Sequence, residues 1–89
     1  MNYPQIVTEL EELTKQLGVT IRYEKGDFEG GFCILKEERM LVVNKRLHDA
    51  RKAASIAQAL GQFGLETMYI KPALRGFIED ELAKSLRQK

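Results

Sequence analysis

Apolar positions follow two rhythms along the chain, and each rhythm predicts a type of element. Ile6, Leu10, Leu13 and Leu17 recur at spacings of four, three and four, with Val7 widening the stripe and Glu9, Glu11, Glu12 and Lys15 on the other faces. That period predicts an amphipathic helix, with Pro4 in its first turn and Gly18 as its C-terminal cap. "VTIRY" then alternates Val19, Ile21 and Tyr23 against Thr20 and Arg22, the period of a half-buried strand. "EKGDFEGG" interrupts it with Gly26, Gly30 and Gly31. Two short apolar runs follow, "FCIL" and "MLVV", joined by "KEER". They read as a hairpin, and because Lys36, Glu37, Glu38 and Arg39 suit a tight two-residue turn poorly, a looser four-residue loop is expected.

The helical period returns in "NKRLHDARKAASIAQALGQFG". His48 or Asp49 can cap this second helix and Gly64 can end it. Ala50, Ala53, Ala54, Ala57, Leu60 and Gly61 make a stripe of small residues, widened by Ile56 and Phe63, which places the helix in the middle of the domain. From Pro72, Leu74, Ile78 and Leu82 with Phe77 alongside predict a third helix. The charged tail, residues 84–89, is expected to fray. The order α-β-β-β-α-α predicts an α+β domain, a three-stranded antiparallel sheet with helices packed mainly on one face.

Composition narrows this picture. A chain of 89 residues has room for one core, so residues 1–89 form a single small domain. Fourteen basic against thirteen acidic residues leave a formal charge of +1, so the total charge points neither to nucleic acid nor to an acidic membrane. Cys33 is the single cysteine, which excludes an intrachain disulfide and a cysteine-rich metal site. No basic-then-apolar leader and no apolar run of about 18 residues is present, so a cytoplasmic protein without membrane contact is expected.

One stretch carries a further signal. In "SIAQALGQFG", Gln58, Ala59 and Gln62 stand at the spacing of the zinc motif H-E-x-x-H. Upstream, "GGFCILKEERMLVVNKRLHDARK" gives a glycine-led hairpin, an asparagine after the last strand, and a basic link into the helix. From Gly30 to Phe63 this order resembles the minimal core of zincin metallopeptidases, most closely the bacterial ImmA/IrrE-like family that cleaves phage repressors and stress regulators. The resemblance implies that "AQALGQ" occupies the place of an A-H-E-L-G-H active helix. It equally implies that the chemistry is gone. Glutamine is a neutral amide and a poor zinc ligand, and Ala59 can neither take a proton nor polarise a water. Glu79, Asp80 and Glu81 sit on a helix without the partners that a third ligand would need. No metal, cofactor or catalytic residue is therefore expected.

The most basic segment is the link to the second helix, where Lys45, Arg46, Arg51 and Lys52 surround His48. With the free N–H groups of a helix start it could contact phosphate. No aromatic residue is interleaved for base stacking, and Asp49, Glu37 and Glu38 dilute the field, so nucleic acid is the alternative and not the first expectation. Cys33 and His48 form no nucleophile–base pair: Cys33 lies in an apolar strand, where cysteine is usually a small buried hydrophobe, and no third group orients His48. Gly26, Gly30 and Gly31 lack the Lys-Ser/Thr ending of a phosphate loop, and Asp27 with Glu29 lacks calcium-loop spacing. Three amphipathic helices leave more apolar face than one small sheet covers. The expectation is a non-catalytic protein-interaction or structural module, most simply a homodimer. Its contacts are expected along the basic link and at apolar positions of the first or third helix.

Overall fold

A computed structural model describes residues 2–26, 31–65 and 68–87. Helix α1, Tyr3–Gln16, begins with a reciprocal cap: the Asn2 side chain accepts from the Gln5 N–H at 2.9 Å, and the Gln5 side chain accepts from the Asn2 N–H at 3.1 Å. It ends in a Schellman motif. Gly18 adopts φ +74°, its N–H donates to Lys15 O at 3.0 Å, and the Val19 N–H donates to Thr14 O at 2.9 Å. That left-handed turn reverses the chain into β1, Thr20–Glu24.

The sheet differs from the expected one. β2, Phe32–Leu35, and β3, Met40–Asn44, form the predicted antiparallel hairpin around a four-residue loop, with Arg39 at φ +49° closing it. β1, however, pairs with β3 and runs parallel to it, giving the order β1-β3-β2. The sheet is mixed, not antiparallel. The physical reason is burial. "MLVV" is an unbroken apolar run, unlike the alternating "VTIRY", and the central position lets it bury Leu41 and Val43 completely between two neighbours. Seven residues, 25–31, separate β1 from β2, and the two strand spacings between them amount to about 10 Å. Asn44 ties the residues after β1 to β3 by donating from Nδ2 to Gly26 O at 2.9 Å, while its Oδ1 accepts from the Arg46 N–H at 3.0 Å. The Asp27–Gly30 part of the predicted breaker lies outside the described residues.

Register assigns the two faces. Ile21 and Ile34 flank Leu41, and Tyr23 and Phe32 flank Val43; all six belong to the core shared with the helices. Met40, Val42, Cys33, Leu35, Thr20 and Arg22 occupy the opposite face and take no part in that core. Cys33 is exposed there, contrary to the expected burial, because its parity in β2 points it away from the helices.

Helix α2, Asp49–Leu60, packs against α1, α3 and the sheet, with Ala53, Ile56, Ala57, Ala59 and Leu60 fully buried. It stops a turn before Gly64. Tight N–H to carbonyl bonds, Gln62 to Ala59 and Phe63 to Leu60 at 3.0 Å each, carry the chain on to Gly64. Helix α3, Pro72–Arg87, lays Leu74 and Ile78 into the same core and extends into the segment expected to fray. Its approach is tied to α1 by a Lys71–Glu9 ion pair of 2.6 Å, and the hydrogen bond to Glu9 raises the Lys71 ammonium above its ordinary pKa.

Candidate functional site

Three surfaces carry the residues with functional potential. The first is the basic link. Its turn is closed by Leu47 N–H donating to Asn44 O at 3.2 Å, and Leu47 packs close over Gly31, leaving the flanking cations outside. Lys45, Arg46, His48 and Arg51 are exposed, and none has an ion-pair partner among the described residues. His48 occupies the N-cap of α2, yet its side chain makes no capping hydrogen bond. Lys52 does not join this cluster: its ammonium lies 5.4 Å from the centre of the Tyr23 ring. Asp49 stands in the first turn beside the exposed cations. Cys33 and His48 are not brought into contact by any hydrogen bond among the described residues.

The second surface is the motif helix. Only Gln58 lies within α2; Gln62 falls in the turn beyond its Gly61 cap, and their surroundings differ too: Gln58 is half-buried and Gln62 is exposed. The Gln58 amide donates from Nε2 to Glu81 Oε1 at 3.4 Å, and Glu81 receives the Lys84 ammonium at 3.1 Å on its other oxygen. Glu81 is only 7% exposed, whereas Glu79 and Asp80 face solvent. Glu81 thus has two side-chain partners, an amide and an ammonium. Its position was readable as an anomaly, since it falls seven residues after Leu74 on that helix's apolar stripe. Ala59 is fully buried, so that position opens onto the core and not onto a cleft. Among the described residues no three His, Cys, Asp or Glu side chains group as metal ligands.

The third surface emerged only from the topology. β1 is an edge strand, and between it and the second half of α1 lies a groove of about 520 Å³ lined by Glu11, Glu12, Lys15, Val19, Ile21 and Tyr23, among others. The Tyr23 hydroxyl donates to Glu11 Oε2 across it. Burial, then the hydrogen bond and charge of Glu11, then the charge of Asp49, push the Tyr23 phenol well above its ordinary value. The groove therefore holds a phenol that stays protonated and a carboxylate with one oxygen already committed. That set offers charge and hydrogen-bond acceptors but no nucleophile, no base oriented by a third group and no metal-ligand cluster among the described residues. No protein-family profile, curated protein or solved structure matches this chain.

Proposed function

We propose that this domain is a non-catalytic protein-interaction module, a homodimer joined through the helix-free face of its sheet, on what is a degenerate zincin-like scaffold. The observation that carries this reading is that face itself. Met40, Val42, Cys33 and Leu35 lie together on it outside the core, with Leu35 exposed, while the helices' apolar stripes are already covered by one another and by the sheet. The contact surface therefore moves from the helices, where the amphipathic stripes alone would place it, to the sheet. Tyr3 and Tyr69, 48% and 82% exposed, supply further apolar area at the surface.

Val42→Glu puts a charge at the centre of that face. Light scattering at micromolar concentration is expected to give twice the chain mass for the natural protein and a single chain mass for the variant, with the fold retained by circular dichroism. A monomeric mass for the natural protein would falsify the dimer. The non-catalytic part has its own test: untagged protein purified without chelators is expected to carry no stoichiometric zinc by elemental analysis.

A second reading, anion or nucleic-acid contact, is favoured by one observation: the exposed Lys45, Arg46, His48 and Arg51 surround an α2 start whose N-cap side chain leaves the first N–H groups open. It requires affinity for a short single strand that falls steeply with salt and disappears in an Arg46→Glu/Arg51→Glu variant. Binding indifferent to both rejects it.

A further inference from the structure

The ladder of β1 determines which of its main-chain groups are spoken for. At one end the Thr20 N–H donates to Arg39 O at 2.9 Å, and at the other the Lys45 N–H donates to Glu24 O at 3.0 Å. With the register Thr20 to Met40 through Glu24 to Asn44, alternation along the strand turns the N–H and C=O of Thr20, Arg22 and Glu24 toward β3. Those of Ile21 and Tyr23 turn outward, and no hydrogen bond among the described residues takes them up. The Val19 N–H is committed to Thr14 O, so the open stretch begins with the Val19 carbonyl. An unpaired strand edge is a template for another extended chain, and natural proteins cover or block such edges. Here β1 is the outer strand of the sheet, and no other strand among the described residues pairs with its free side. Instead the edge borders the groove of about 520 Å³, whose far wall is the acidic flank of α1.

We propose that this edge docks an extended, basic segment of a partner protein, which joins the sheet as a fourth strand beside Ile21 and Tyr23. The open main-chain groups specify an extended backbone, because only a strand presents donors and acceptors at matching intervals. The wall specifies the charge. Among the lining residues Glu11 and Glu12 stand against one cation, Lys15, which is largely exposed and 3.9 Å from Glu12; Lys52, over the Tyr23 ring, and Arg39, beside Gly18, lie at the margins and not in the lining. The Glu11 oxygen not engaged by Tyr23 remains to receive a lysine or arginine of the incoming strand. A second copy of this chain fits poorly. Two β1 edges paired about a two-fold axis would bring both Glu11–Glu12 walls to the same side of the joined sheet, facing each other. The proposal rests on the reading of the domain as a protein-interaction module but uses a different surface from the dimer face around Val42.

The test uses the full chain and a blocked peptide of alternating valine and lysine. Its controls are a valine–glutamate counterpart and a valine–lysine peptide N-methylated at alternate amides. Amide exchange by NMR is read at Ile21 and Tyr23. Both amides are expected to exchange freely in the protein alone and to become protected when the lysine peptide is added. The N-methylated and glutamate peptides are expected to leave them unprotected. Glu11→Gln/Glu12→Gln keeps an acceptor for Tyr23 while removing the charge, and is expected to weaken the lysine peptide by about tenfold, the worth of two exposed ion pairs. Equal binding of all three peptides, or binding that protects neither amide, overturns the proposal, as does no binding of the lysine peptide at millimolar concentration. Protection that appears without peptide and grows with protein concentration assigns the edge to a second copy and overturns it too. Val42→Glu separates the two ideas, since it alters the mass while leaving the edge intact.

Discussion

Single residues decide how closely α2 and α3 approach. Gly61 caps α2 in an ordinary right-handed conformation, φ −60° and ψ −20°, so its value lies in having no side chain. A Cβ there would overlap the methyl groups of Leu82. Gly61→Ala is expected to cost about 1–2 kcal/mol by overpacking, softened because Leu82 is a partly buried chain that can turn away. The interaction is local, so Leu82→Ala should absorb most of that penalty; a urea-denaturation double-mutant cycle with no coupling between the two would refute the contact. Tyr23 is the other residue with a measurable signature. Its folded pKa lies above the ordinary value of 10.0, chiefly through burial and the bond to Glu11. Its stabilising contribution is complete below pH 10 and is lost as pH climbs from there toward the folded value, because the unfolded chain ionises first. Tyr23→Phe should lower stability by about 1 kcal/mol at neutral pH and flatten this alkaline decline. Denaturation midpoints taken below and above pH 10 compare the two proteins; equal slopes would remove Tyr23 from the alkaline response.

Among the elements, the interruption between β1 and β2 governs the topology. A hairpin between neighbouring strands needs only a short turn, whereas the seven residues 25–31 let β1 and β2 stand on either side of β3. Asn44 is the brace of that arrangement, holding Gly26 O on one side and the Arg46 N–H on the other. Asn44→Ala removes both bonds and is expected to destabilise the fold by about 1–3 kcal/mol, with faster amide exchange at Arg46. A variant as stable as the natural protein would mean that the crossing holds without it. The asparagine, which ends β3, was visible in the sequence, but its partner Gly26 is 18 residues away, and no local pattern links them. The cap of α1 has a local signature: "NYPQ" places a capping side chain three residues before a glutamine.

At the scale of the whole molecule, a Cα radius of gyration of 12.1 Å matches the ~12 Å expected of one domain of this length, so a single core serves all six elements. A core this small gives limited stability, and one sheet face adds nothing to it. If two chains cover that face in each other, folding and association are linked, and the thermal midpoint should rise with protein concentration. It should lose that dependence in Val42→Glu. A midpoint independent of concentration in both proteins would speak for a stable monomer. No helix among the described residues is long and apolar enough to cross a membrane.

The sequence by itself determined the identity and order of the elements and the α+β class, but not the mixed direction of the strands. Those depend on period, glycine placement and capping, all local properties of a dozen residues or fewer. It also determined that Gln58, Ala59 and Gln62 lack the side-chain chemistry of a zinc site, which no fold can restore. Tertiary structure alone decided the rest. Which strand stands in the middle depends on how three apolar runs compete for one buried position, and Leu41 and Val43 won it. That choice made β1 an edge, while the side on which the helices pack left Cys33 outward and the packing of α3 on α2 set Glu81 against Gln58. Each of these joins residues distant in sequence through the closing of a single core, and so each is a property of the packed molecule and not of any segment.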